Sequence, residues 1–127
     1  AAFKTSDKDE LAAAEWLKKN FGGDILLRGE CKERGKKSAD FQWKGKLWDL
    51  KSPTGSSKGT IAAQVRAVKH QIEANAGGLI LDISKCPLDV ETIKKDLERE
   101  LNRRIDFPMD VIIKRGDEIV CVLKYQV

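Results

Sequence analysis

Between Phe41 and Leu50 apolar and polar residues alternate, and the alternation is interrupted at Lys44-Gly45-Lys46. Period two over two short runs predicts paired strands, with Phe41 and Trp43 on one and Trp48 and Leu50 on the other. The tight turn between them falls at Lys44-Gly45 or at Gly45-Lys46. Upstream the period changes. At roughly 100° per residue, Ala13, Ala14, Leu17 and Phe21 gather on one face, which predicts a helix from Ser6 or Asp7 to about Asn20, stopped by Gly22-Gly23. Asp24 to Lys32 reads as a strand around the apolar run Ile25-Leu26-Leu27. A second helix, capped by Thr60, carries the stripe Ile61, Val65, Val68 and Ile72 and ends at Ala76-Gly77-Gly78. Leu79 to Ile83 is a short apolar run bounded by glycines, as expected of a central strand buried on both faces. Pro87 opens a third, highly charged helix from about Leu88 to Arg104. Met109 to Lys114 and Ile119 to Tyr125, joined across Arg115-Gly116-Asp117, form another hairpin.

The predicted order is αβββαβαββ. A helix and hairpin followed by crossover helices imply an α/β fold, a mixed β-sheet flanked by helices. At 127 residues the chain makes a single domain spanning residues 1–127, long enough for one core. It has no internal repeat. No apolar run approaches the roughly 20 residues that span a bilayer, so no membrane insertion by this fragment is expected. It begins Ala-Ala-Phe, which suggests a piece cut from a longer chain.

Charge changes the picture more by its distribution than by its sum. The net charge is +4, a modest bias toward a polyanionic partner. However, Arg28, Lys32, Arg34, Lys36, Lys37, Lys44, Lys46, Lys51 and Lys58 crowd one third of the chain. Cys31, Cys86 and Cys121 are widely spaced, with no CxxC or CxxH grouping, and read as core or near-core thiols rather than disulfides or zinc ligands.

The same basic third holds two acids. If Lys44-Gly45 is the loop, Asp40 lies directly across from Asp49, with Cβ atoms about 4.5–5.5 Å apart. If Gly45-Lys46 is the loop, Asp40 pairs with Lys51 and Asp49 is one diagonal step away. In both registers Asp40, Asp49 and Lys51 share a face. Two such acids repel unless a cation lies between them, and a hard divalent ion with oxygen ligands suits the pair. The plain alternative is a solvated face with weak ion pairs.

Two helices place ionisable groups on faces that should be apolar. Glu10 falls in the middle of the first helix's stripe, where a helix-dipole partner is the simple reading and emergence beside Asp40 and Asp49 the functional one. Lys69 lies close to Val65 on the second helix, where it either snorkels past the core or reaches an acid. Gln64 borders the same stripe and could orient a phosphate or a water. His70 points outward.

These residues resemble the PD-(D/E)xK nuclease superfamily, with Asp40 as the first acid, Asp49-Leu50-Lys51 as the acid-x-lysine and Glu10 as the additional helix acid. More narrowly, ADFQWKGKLWDLKSP, TIAAQVRAVKHQ and GGLILDIS are similar to the C-terminal tRNA-nuclease toxin domains of CdiA contact-dependent inhibition proteins. The likeness runs from about Asp9 to Ser84, with Ala39 where proline is usual and Asp49 where Glu often stands. It implies a metal-dependent endoribonuclease acting on tRNA, with Mg²⁺ or Mn²⁺ held by Asp40, Asp49 and Glu10. It implies catalytic roles for Lys51 and Lys69, and substrate contacts at Gln64, Lys36, Lys37, Ser52, Thr54 and Lys58. It also implies a cognate immunity protein, and a C-terminal part of a secreted bacterial protein that acts in the target-cell cytoplasm. The residues themselves leave open a DNA endonuclease and a non-catalytic nucleic-acid-binding module.

Overall fold

A computed structural model describes residues 8–22, 25–27, 41–72 and 75–126. The elements follow the expected order: α1 (Lys8–Phe21), β1 (Ile25–Leu27), β2 (Phe41–Trp43), β3 (Lys46–Lys51), α2 (Thr60–Ile72), β4 (Ala76–Asp82), α3 (Val90–Arg104), β5 (Met109–Arg115) and β6 (Glu118–Tyr125). The strands form one six-stranded sheet in sequence order. β3, β4 and β5 run parallel, and every other neighbouring pair is antiparallel. Parallel neighbours need crossovers, and α2 and α3 supply them on one face of the sheet.

Alternation along the central strands divides the core in two. Leu79, Leu81, Val111 and Ile113 pack against Ile61, Val65, Val68 and Ile72 of α2 and Ile93, Leu97 and Leu101 of α3. Ile80 and Ile112, which point the other way, pack with Trp43 and Trp48 against Ala13, Ala14, Trp16 and Leu17 of α1. The α2 stripe is the one its periodicity predicts. In α1, Trp16 joins the stripe, whereas Phe21 at its end is 37% exposed and lies edge-on to Trp16 and Trp43. Gly22 closes α1 with φ +73° and a bond from its N–H to the Lys18 carbonyl, the left-handed cap that glycine adopts most easily.

Several element ends differ from expectation by a few residues, and three of these differences have a clear local reason. Thr60 is the first residue of α2 rather than its cap, since the Gly59 carbonyl already accepts from Ala63 N–H. α3 begins at Val90 instead of Leu88 because Asp89 caps it, accepting from the Thr92 backbone and hydroxyl. β4 starts at Ala76, so Gly77 and Gly78 lie inside the strand. A Cβ on Gly77 would collide with the Trp48 indole, and one on Gly78 with the Asp110 carbonyl. Close approach of neighbours selects glycine there. Cys86 and Cys121 are half-buried free thiols, and Cys31 lies outside the described residues.

Candidate active site

The hairpin register decides what β3 presents. Trp43 pairs with Lys46 and Phe41 with Trp48, so Lys44-Gly45 is the loop. Lys44 at φ 53° and Gly45 at φ 76° form the left-handed pair that a two-residue hairpin turn uses. This is the first of the two registers that the sequence allows. Asp40 itself, with Lys36 and Lys37, lies outside the described residues.

Along β3, Trp48 and Leu50 belong to the α1 face, so Asp49 and Lys51 point to the α2 face. Asp49 pairs with Leu79 in the parallel ladder and is 0% exposed. The solvated-surface alternative therefore fails, because α2 covers this face. Lys51 Nζ lies 2.9 Å from Asp49 Oδ2, and its side chain is 20% exposed. Neither Asp49 oxygen has a hydrogen-bond partner of good geometry among the described residues. The Lys51 contact is thus an ion pair without an aligned hydrogen bond, and Oδ1 has no partner among the described residues. A buried carboxylate in that condition destabilises the fold unless something else is meant to meet it.

The structure gathers some of the expected residues and disperses others. On α2, Gln64 and Lys69 leave the buried stripe on opposite flanks. Gln64 is half-buried, and its Nε2 donates to the Thr60 carbonyl at 3.3 Å. Lys69 lines a cleft of about 340 Å³ with Arg66, His70, Arg103 and Arg104, on the flank that faces α3. Lys69 is thus on the α3 flank of the helix and Gln64 on the flank away from α3. Ser52 and Thr54 are exposed in the segment after β3, and Ser52 opens toward the α1 side. Lys58 borders a cleft with Thr92, Asp96 and Arg99 of α3. Glu10 is within α1, whose packed face lies on the sheet surface opposite Asp49; its side chain is outside the described residues.

Among the described residues no three His, Cys, Asp or Glu side chains converge on a metal position. Of the expected metal ligands, Asp49 alone has its side chain described. The orphaned Oδ1 nonetheless fits a hard cation, which binds through one or two carboxylates and keeps several waters.

Arg66, Arg103 and Arg104 were not singled out by sequence, because charges on helices read as solvated faces. Arg103 and Arg104 flank the buried Glu100, with Arg104 Nε 2.6 Å from Oε2 and Arg103 Nη1 3.4 Å from Oε1. The Arg104 hydrogen bond leads in holding the Glu100 carboxyl below its ordinary value, against the opposing effect of desolvation.

A buried acid-x-lysine on the strand that enters the first parallel crossover, in a mixed sheet layered between helices, defines an α/β domain with a polar centre built into its core. The chain belongs to the contact-dependent growth inhibition CdiA C-terminal domain family, which it matches over residues 36–119. It is accordingly a growth-inhibition toxin domain, the C-terminal part of a secreted contact-dependent inhibition protein. Its fold is similar to a chain of the CdiA-CT/CdiI toxin and immunity complex from Burkholderia pseudomallei. The TM-score is 0.58 and the identity 18%, over 98% of this chain and 94% of that one. Among curated proteins, no sequence matches this chain. No helix among the described residues is long and apolar enough to cross a membrane.

Proposed function

We propose that the domain is a metal-dependent endoribonuclease toxin of the PD-(D/E)xK kind, with tRNA as the favoured substrate and the target-cell cytoplasm as its place of action. The observation that carries this reading is Asp49, buried beside Lys51 and, among the described residues, without a hydrogen-bond partner for Oδ1. Asp49 would hold a divalent cation, Mg²⁺ or Mn²⁺, together with Asp40; Glu10, the third expected ligand, is carried by α1, whose packed face lies on the other side of the sheet. A bound cation supplies positive charge to a phosphate and acidifies a water. Lys51, close to Asp49 and partly open to solvent, supplies the ammonium that stabilises charge gathering on the phosphate oxygens. Lys69, in its cleft with Arg66, Arg103 and Arg104, serves better as a backbone-phosphate contact than as the catalytic lysine.

A cleaving domain harms the cell that makes it, and the structural neighbour is a toxin bound to an immunity protein. A cognate immunity protein with acidic residues to meet the chain's excess of positive charge suits this chain. The test is to incubate the domain with total cellular RNA and with plasmid DNA, in Mg²⁺ and in EDTA, and to map the new ends. Mg²⁺-dependent cuts in tRNA, absent in Asp40→Ala and Asp49→Asn, are expected. Cleavage that persists in EDTA sinks the metal assignment, and cleavage of the plasmid alone sinks the RNA assignment.

A further inference from the structure

A second polar site lies on the opposite face of the sheet. Where β3, β4 and β5 end, Ser52, Asp82, Ser84, Lys85 and Lys114 line a cavity of about 100 Å³ walled by α1. The carboxyl ends of parallel strands are where open α/β sheets commonly take ligands. Lys114 is the unusual member. It pairs with Asp82 in the β4–β5 ladder, points to the α1 side and is 6% exposed. Its Nζ lies 4.4 Å from the centroid of the Trp16 ring, which is held in place by a 2.9 Å bond from Trp16 Nε1 to the Asp117 carbonyl. Among the described residues that ring contact is the ammonium's sole interaction. A cation–π contact does not replace the hydrogen bonds of three N–H donors removed from water. An anion in the cavity would.

We infer that this cavity binds a protonatable tetrahedral oxyanion, namely inorganic phosphate or a terminal phosphate monoester. Lys114, Lys85 and the hydroxyl of Ser52 supply donors, while the Ser84 hydroxyl is committed to Asp82. Asp82 decides the type of anion. Its Oδ1 accepts from Ser84 N at 3.0 Å and from Ser84 Oγ at 2.8 Å, which fixes the carboxylate at the rim. A carboxylate repels sulfate and an internal phosphodiester, neither of which has a proton to offer at neutral pH. Inorganic phosphate keeps at least one proton at neutral pH, and a monoester, with a second pKa of about 6, takes one up readily beside a carboxylate and can then donate it. The volume agrees, since drug-sized ligands need roughly 300 Å³ or more.

The experiment is an amide NMR titration of the whole domain with inorganic phosphate, with sulfate at equal ionic strength as control. Saturable shifts at Ser52, Ser84 and Lys85 are expected, with phosphate binding at least about tenfold tighter than sulfate. Lys114→Met should weaken phosphate by a similar factor. Ser84→Ala and Lys85→Gln, both exposed in the native fold, should weaken it too and keep the test valid if Lys114→Met fails to fold. A 5′-phosphorylated and a 5′-hydroxyl dinucleotide separate the sources: tighter binding of the former than of inorganic phosphate assigns a nucleic-acid end, and the reverse assigns free phosphate. Absent shifts, equal phosphate and sulfate affinities, or variants that bind as well as the native domain would each overturn the site. The readout is binding, so it stands or falls independently of RNA cleavage.

Discussion

Asp49 and Lys51 make one ion pair, but the two residues stand differently toward solvent, and this separates their substitutions. Asp49 has no exposed surface, whereas Lys51 can turn outward when its partner is lost. Asp49→Asn removes a buried charge and leaves a lysine able to hydrate, so unfolding free energy should change by no more than about 1–2 kcal/mol. Lys51→Met strands a buried carboxylate and should cost about 2–3 kcal/mol, below the range for a fully enclosed pair because Lys51 is partly exposed. Both should reduce RNA cleavage by at least about a hundredfold. Urea denaturation beside a cleavage assay checks the pair, and an Asp49→Asn that unfolds at the expense of activity would assign it a structural role. Local rules made the shared face of Asp49 and Lys51 readable, since period two suffices for that. Burial was not readable, because nothing within β3 says which helix covers it.

The helices and strands show where local rules hold and where neighbours override them. α3 is anchored at its C-terminal end by Glu100, buried under Arg99, Arg103 and Arg104. Its carboxyl titrates below the ordinary value, chiefly through the Arg104 hydrogen bond, so the folded state binds that proton less readily than the unfolded chain. The stabilisation is fully present above the ordinary carboxylate value and is lost as pH falls through the lowered folded value. The stability gap between the native domain and Glu100→Gln should therefore be constant near neutrality and shrink on acidification, as urea midpoints over a pH series would reveal. In β4 the glycines that read as strand boundaries are interior positions, chosen by the Trp48 indole and the Asp110 carbonyl. Gly78→Ala should destabilise by about 1–3 kcal/mol through overpacking, measured by the same denaturation, and an unchanged midpoint would refute the contact. Only the partner strand reveals this, because glycine before an apolar run looks the same in both settings.

Across the whole molecule, positive charge gathers on the α2–α3 side at Arg66, Lys69, Arg103 and Arg104. If this cleft tracks the RNA backbone, Arg66→Gln and Lys69→Gln should each lower the salt slope of binding by about 1 and raise KM with little change in kcat. A kcat that falls with KM unchanged in Lys69→Gln would return that lysine to the chemical step. The sequence by itself determined the order of elements, the hairpin, the α2 stripe and the common face of Asp49 and Lys51, because each follows from periodicity or turn chemistry over a few neighbouring residues. The tertiary structure alone decided that α2 buries Asp49, that the Lys69 flank of α2 is the one that meets α3, and that Lys114 is enclosed beside Trp16. Those outcomes depend on sheet order and on the face each crossover helix takes, which are contacts between residues far apart in the chain.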